Sequence, residues 1–358
     1  IAGGTTTVID MPLNCIPPTV DREALDAKTE YAGGDLWCDV GFWGGVVPGS
    51  ETHIGDLAAA GVCGFKAFLV DSGVPEFAPI ESVQELESVL DQLSSLGLPL
   101  IVHAELAAHL RPISGDASVY SAYVASRPPE AESAAVDMMS GLAAATGAQV
   151  HVLHLSSAAG VDAVGRSSGG VTAETCPHYL VFDESDVPVA ATVYKCAPPI
   201  RSAEHREALW AGLESGVVSM VVSDHSPAPP DLKAGDFATA WGGIAGLQLR
   251  LVATWTGAAE RGIGLVSMTE WLGSGPARLA GLSSKGVIEP GADADLVVFD
   301  PDGVTTVRGA QLEHRHPLTP YEGRTLRGSV RTTVLGGHMV FDGVQLHGPV
   351  GRERWRDG

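Results

Sequence analysis

The feature of this sequence that most restricts its fold is the regular alternation of short apolar segments with amphipathic ones. Seven apolar segments have the length of a strand, and they start near Thr5, Trp37, Gly64, Pro99, Gln149, Val171 and Val217. The segments between them are predicted as helices, and Ser82 to Ser95 is an example with apolar residues at helical spacing. Apolar strands that are separated by helices are typical of a parallel sheet covered on both faces.

This pattern predicts an α/β fold, a (β/α)8 TIM-type barrel. Such a barrel has eight strands, and the chain opens on Ile1 with Thr5 to Met11 already a strand, so we expect the first barrel strand to be missing from this chain. The pattern changes after Leu279, where a turn and strand (288–299) and a hairpin around Gly336-Gly337 follow. We predict a barrel at residues 1–284, and at residues 285–358 a small β-sandwich remnant with a C-terminal segment.

Composition excludes several classes of function. The formal net charge of -21 argues against binding to nucleic acid or to an anionic membrane surface. No signal peptide and no apolar run of membrane-spanning length is visible. The five cysteines are scattered and form no CxxC pair, which favours a reducing, cytoplasmic location. A homo-oligomer, either a dimer or a tetramer, is expected.

Polar residues follow or interrupt four of the apolar strands. Lys66 lies within Gly-Phe-Lys-Ala-Phe, His103 follows Leu-Ile-Val, His154 ends His-Val-Leu-His, and Asp224 follows Val-Val-Ser. The carboxyl ends of the strands carry the active sites of such barrels. Four potential ligands at four strand ends favour one shared site, although a single strand histidine is more often a buried core residue.

Two of these positions need a further argument. His151 and His154 lie three apart, so on a strand they point to opposite faces, and we predict that His154 faces the site. Lys66 leaves three interpretations open, because a buried ammonium can pair with a carboxylate, lose its proton through desolvation, or react as the neutral amine with CO2. The resulting carbamate would be an anionic ligand able to bridge two metal ions.

Histidine and carboxylate ligands without a thiolate suit Zn2+ or a similar divalent ion. A pair of such ions could activate water for attack on a carbonyl, and Asp224 could pass the proton to a leaving nitrogen. Ser226 is either a substrate contact or a turn residue. His178 is interpreted as structural or as supporting a ligand, and Cys176 lacks the histidine–carboxylate relay that a thiol nucleophile needs.

At this point the sequence resembles the cyclic-amidohydrolase branch of the amidohydrolase superfamily. The matching stretches run through nearly the whole chain, and they are Asp10-Met11-Pro12-Leu13-Asn14, Gly41-Phe42-Trp43-Gly44-Gly45, Gly64 to Leu69, Val102 to Glu105, His151 to Ser157, Glu174 to Tyr179, Lys195 to Arg201 and Ser223 to Pro227. The stretches that contain Asn14 and Trp43 are most similar to those of allantoinases.

The resemblance implies a hydrolase with a binuclear metal site that opens the hydantoin ring of the small molecule allantoin to allantoate, in purine catabolism. It implies that Lys66 is carboxylated and bridges two ions, Zn2+ or else Mn2+, Co2+ or Fe2+. His103 and His154 would bind one ion, and Asp224 would bind the other and act as the proton shuttle. Ser226 and Asn14 would contact the substrate.

The chain departs from the family in one respect. A His-x-His pair on the first barrel strand completes the second metal site in the family, and no such pair precedes Thr5; His314 and His316 lie after the barrel. We therefore hypothesise a truncated copy that binds one metal ion or none and is inactive. The alternatives are a sister enzyme (dihydropyrimidinase/hydantoinase or dihydroorotase) and a non-catalytic scaffold.

Overall fold

The computed structural model describes residues 1–167 and 169–357. Its strands are β1 (Thr7–Asp10), β2 (Asp39–Phe42), β3 (Gly44–Gly45), β4 (Phe65–Phe68), β5 (Leu100–His103), β6 (Val150–Val152), β7 (Val171–Thr175), β8 (Met220–Val221), β9 (Leu296–Thr306), β10 (Thr325–Leu335), β11 (His338–Phe341) and β12 (Glu353–Arg354). Its α-helices are α1 (Arg22–Ala32), α2 (Ile54–Ala59), α3 (Val83–Leu96), α4 (Tyr120–Ser126), α5 (Pro129–Thr146), α6 (Ala158–Arg166), α7 (Pro177–Val181), α8 (Ala203–Ser215), α9 (Arg250–Glu260), α10 (Leu265–Thr269) and α11 (Gly275–Ala280).

The strands of the first unit form one parallel series in chain order. Strand β1 pairs with β2, and β3 continues from β2 after Trp43 into a six-stranded sheet with the order β3-β4-β5-β6-β7-β8. Apart from β2 and β3, which follow one another on either side of Trp43, each strand from β1 to β7 pairs with the next one along the chain, which is the arrangement of a (β/α)8 barrel. Within the described residues, β1 and β8 are not hydrogen-bonded to each other.

Helix α3 shows how the sequence produces this layered packing. The side chain of Ser82 caps its first turn by accepting a hydrogen bond from the Glu85 amide, and Gly97 ends it in the left-handed region at φ 66°. Its buried residues, Leu86, Val89, Leu90 and Leu93, form one face. That face joins the core formed by the buried residues of β4 and β5, so the amphipathic spacing places the helix against the sheet.

The C-terminal part forms a separate antiparallel sheet with the order β11-β10-β9. The hairpin predicted around Gly336-Gly337 is confirmed, since β10 and β11 pair on either side of it. The segment after this sheet returns to the first unit, where β12 pairs in parallel with β2. The predicted boundary near residue 285 stays a prediction, and the two units share ion pairs across it.

The largest of these contacts is a buried cluster around Lys285. Its ammonium lies 2.5 Å from Asp39 of β2, 2.9 Å from Asp293 and 2.5 Å from Asp295. Arg354 of β12 lies 2.6 Å from the same Asp39 carboxylate. The cluster therefore joins the first unit, the connecting segment and the C-terminal segment.

The last strand of the parallel series is shorter than the predicted segment from Val217 to Ser223. Strand β8 covers Met220–Val221, because the backbone turns before Asp224, whose φ is 41°. In the part of the chain that the structure describes, no helix combines the length and apolar character needed to cross a membrane.

Candidate metal centre and active site

A cavity of about 1080 Å³ lies at the edges of β1 and β8, and it contains most of the predicted site residues. Its polar lining includes Asp10, Asn14, Lys28, Lys66, His154, Glu174, Asp224, His225, Ser226 and Arg250, and its apolar walls include Ile9, Trp43, Ile101, Leu153, Met220 and Leu279. His103 is buried directly behind this lining, with its ring centroid 4.7 Å from that of His154. The structure thus brings together all six residues that the sequence predicted for the site.

Lys66 is buried on β4 and lacks an anionic partner at ion-pair distance among the described residues. Its Nζ donates a hydrogen bond to Asn14 Oδ1 at 3.3 Å and lies 4.8 Å from the centre of the Phe68 ring. Burial lowers the pKa of Lys66 to about 8, although the charges of Asp224, Glu174 and Asp10 oppose the shift. One pH unit below this pKa about a tenth of the amine is neutral, far more than for a lysine of ordinary pKa, and the neutral amine is the form that reacts with CO2.

The two histidines meet at the ends of β5 and β6. His154 has a φ of 39°, and this left-handed conformation turns the chain just after β6. Its Nδ1 is buried and has no hydrogen-bond partner among the residues that the structure describes. Burial lowers the pKa of both His103 and His154, so both rings are neutral at pH 7 and retain a lone pair for a metal ion.

His151 lies outside this cavity. Its Nδ1 is 2.7 Å from Thr172 Oγ1 and its Nε2 is 3.1 Å from Glu174 Oε2, so both ring nitrogens are already occupied within the protein. The two histidines of this segment therefore take different environments. Alternation along a strand is not the reason, since β6 ends at Val152 and His154 lies in the turn after it.

Asp224 lines the same cavity, on the chain that follows β8. Burial is the main cause that raises the pKa of Asp224 to about 7. The negative charge of Glu174 adds to this shift, and the positive charge of Lys66 opposes it. Donor atoms of Cys176 and His178 lie within 4.8 Å of each other and of an Asp224 carboxylate oxygen. A carboxyl with a pKa near 7 can both accept and return a proton, which is the property a proton shuttle needs.

Ser226 lies at the mouth of the cavity on the loop after β8. Its amide donates to Ile244 O at 3.0 Å, and a Cβ at Gly243 would meet Ser226 O at 2.5 Å, so glycine is required for this close approach. His225 beside it contacts His314, with the ring centroids 4.8 Å apart and the ring planes tilted by 56°. His314 of the post-barrel His-x-His therefore packs near the rim of the site, against a residue next to Asp224.

Several polar groups near the site were not assigned a role from the sequence. Glu174 lines the cavity and holds His151, and Glu105 accepts a hydrogen bond from His103 at 2.7 Å. Arg250 also lines the cavity, and within the described part of the chain its buried Nε has no hydrogen-bond partner. For Glu105 a signal existed, since residues two apart in an extended chain point to the same side.

The comparisons with known proteins agree with this fold and cavity. The family model described as the amidohydrolase family matches residues 1–340. The chain belongs to this family of metal-dependent hydrolases.

The curated relatives define its position within the family. An allantoinase of Streptomyces avermitilis is 45% identical over 98% of this chain and 80% of the relative. An allantoinase of Saccharomyces cerevisiae is 43% identical over 95% of this chain and 76% of the relative. Among the amidohydrolases, the chain therefore groups with the allantoinases.

The solved structures confirm the fold. An L-hydantoinase (dihydropyrimidinase) from Arthrobacter aurescens superposes with a TM-score of 0.94 at 30% identity, over 99% of this chain and 82% of that chain. The barrel predicted from the strand–helix alternation is thus confirmed, and the three-stranded antiparallel sheet fits a β-sandwich remnant.

Proposed function

We propose that this chain has allantoinase activity, the hydrolytic opening of the hydantoin ring of allantoin to allantoate. The observation that carries the proposal is the 45% and 43% identity to allantoinases, against 30% to the hydantoinase with the same fold. A small cyclic amide is also compatible with the volume and mixed polarity of the cavity.

The residues of the cavity fit a divalent metal ion. The buried, partnerless Nδ1 of His154, the neutral ring of His103 and the carboxylate of Asp224 form a nitrogen and oxygen donor set of the kind that Zn2+ accepts. Carboxylated Lys66 would add an anionic bridge, and Mn2+, Co2+ or Fe2+ are alternatives to Zn2+. When bound, such ions polarise a ring carbonyl and promote ionisation of the attacking water.

The chain's own groups complete the reaction. Water adds to the amide carbonyl carbon, the bond from that carbon to the ring nitrogen breaks, and the carbon becomes a carboxylate as the second proton of the water is released to solvent. Asp224 takes the proton from water and delivers it to the leaving nitrogen. Asn14 and Ser226, which line the same cavity, hold the ring in position for this transfer.

The test is a comparison of ring substrates with this 358-residue chain and the Streptomyces avermitilis relative, both supplied with bicarbonate and Zn2+ or Mn2+. We expect both proteins to turn over allantoin faster than hydantoin, dihydrouracil or dihydroorotate. Preference for another ring would assign the chain to a sister activity, as the hydantoinase fold allows. Metal analysis runs in parallel, since two tightly bound ions per chain would show that this donor set holds both ions without a His-x-His pair on its first strand.

A further inference from the structure

A buried ion pair lies directly behind His103. The His103 Nε2 is 2.7 Å from Glu105 Oε2, and Glu105 is fully buried at 0% exposure. Arg127 donates to both oxygens of that carboxylate, from Nη2 to Oε2 at 2.6 Å and from Nε to Oε1 at 3.1 Å. This bidentate contact fixes the carboxylate plane, and with it the direction of the hydrogen bond to His103.

The pair determines which nitrogen of His103 carries the proton. Both oxygens of Glu105 accept hydrogen bonds from the Arg127 guanidinium, which is the geometry of an ionised carboxylate, and such a group only accepts hydrogen bonds. A neutral imidazole facing such an anion must donate from Nε2. Its lone pair is then on Nδ1, which is the nitrogen left available for a metal ion.

The same network extends to the segment that carries His154. Arg201 donates to the backbone oxygen of Arg127 at 2.8 Å and to Ser156 Oγ at 3.0 Å. Ser156 in turn donates to Glu132 at 2.8 Å, and Ser156 is two residues after His154. One continuous network therefore runs from behind His103 to Ser156, which lies two positions after His154 in the chain.

We propose that Glu105 and Arg127 are positioning residues that hold His103 in the Nε2-protonated tautomer and so present Nδ1 to the metal ion. The metal part of this inference rests on the proposed function, whereas the tautomer is a property of the chain without metal. Carboxylates that orient a histidine ligand in this way raise metal affinity about 10- to 100-fold.

The test uses the double variant Glu105→Leu with Arg127→Leu. Removing both partners avoids leaving one buried charge unpaired, so the variant has the best prospect of folding. The matched control is Asp137→Asn with Arg166→Gln. This change removes an exposed ion pair outside the site, in which Arg166 Nη2 lies 3.0 Å from Asp137 Oδ1. Circular dichroism and thermal unfolding establish that all three proteins are folded.

Two readouts decide the proposal. Long-range 1H–15N spectra of metal-free, 15N-histidine protein report the tautomer, with His103 assigned from the signals lost in His103→Gln. We expect a single Nε2–H tautomer in the wild type and the control, and a mixture in the double variant. Competition with a chelator should show Zn2+ affinity about 10- to 100-fold weaker in the double variant alone.

A mixed or Nδ1–H tautomer in the wild type would overturn the proposal. So would a double variant that is less stable but keeps the wild-type tautomer and Zn2+ affinity, because the pair would then only support the fold. If the wild type binds no Zn2+, the proposed function fails, while the tautomer spectra still decide the role of the pair. If the double variant does not fold, Glu105→Gln takes its place in both measurements.

Discussion

Lys66 Nζ lies 3.3 Å from Asn14 Oδ1, so the buried ammonium has a neutral amide as its nearest side-chain acceptor rather than a carboxylate. An amide stabilises an ammonium less than a carboxylate does, and this contact is therefore consistent with the lowered pKa of about 8. The sequence left three interpretations of Lys66 open. This geometry argues against one of them, the ion pair between the Lys66 ammonium and a carboxylate.

The first prediction concerns Lys66 itself. We expect Lys66→Arg to abolish ring opening and to lower the number of bound metal ions, because a guanidinium is not deprotonated in proteins and cannot become a carbamate. The measurement is metal content by mass spectrometry together with turnover of allantoin at saturating bicarbonate. Full activity of the variant would exclude a carboxylated lysine.

The second prediction tests the neutral amide next to Lys66. Asn14→Asp should raise the pKa of Lys66, because it adds an opposite charge. At a pH below that pKa, each unit by which the pKa rises lowers the fraction of neutral amine about tenfold. We therefore expect metal incorporation at pH 7.5 to require several-fold more bicarbonate. Asn14→Ser, which removes the amide without adding charge, is the control, and an identical bicarbonate requirement in all three proteins would refute the argument.

The third prediction concerns Asp224 in the metal-free protein. Its folded-state pKa of about 7 is above the unfolded value, so the stability it contributes is lost as the pH rises toward and through 7. Asp224→Asn should thus be more stable than the wild type at pH 8. For a pKa shift of about three units, the difference in the free energy of unfolding is roughly 4 kcal/mol at most. The variant should nevertheless lose activity. The difference in stability between the variant and the wild type should shrink as the pH is lowered to 5.

Urea unfolding in the presence of a chelator measures this difference. The chelator is essential, because a bound cation would favour the ionised carboxylate and reverse the sign of the effect. A variant that is less stable than the wild type at pH 8 would show that Asp224 is not a desolvated carboxyl.

The order of the barrel strands and the location of the site could be predicted from the sequence for one physical reason. Strands that are buried on both faces appear as continuous apolar runs, and a polar residue at the end of such a run is conspicuous. The carboxyl ends of parallel strands meet at one rim, so Lys66, His103, His154 and Asp224 could be assigned to one place without any knowledge of distances. The chemical roles of these residues remain predictions.

What could not be predicted depends on contacts between distant parts of the chain. Arg127 reaches Glu105 from the short segment between α4 and α5, and Lys285 reaches Asp39 across 246 residues. Helices α4 and α7 have seven and five residues, which is too short to show helical periodicity. Strand β12 has two residues and forms because β2 offers it a free edge.

The last prediction concerns the cluster that joins the two units. Lys285→Met removes the cation that lies between Asp39, Asp293 and Asp295, and leaves Arg354 as their remaining counter-charge in the cluster. Breaking a buried ion pair from one side costs about 3–5 kcal/mol, and we expect a loss of this size in the free energy of unfolding. The exposed pair of Arg166 and Asp137 provides the control, since Arg166→Met should cost about 1 kcal/mol or less.

Limited proteolysis tests whether Lys285→Met loses stability because the C-terminal segment is released from β2. If the cluster holds the C-terminal segment against β2, cleavage near β12 should be faster in Lys285→Met than in the wild type or in Arg166→Met. Equal losses of stability in the two variants, with equal cleavage rates, would mean that β12 is held by its backbone pairing and by the packing of Trp355 on Phe42 at 5.3 Å instead.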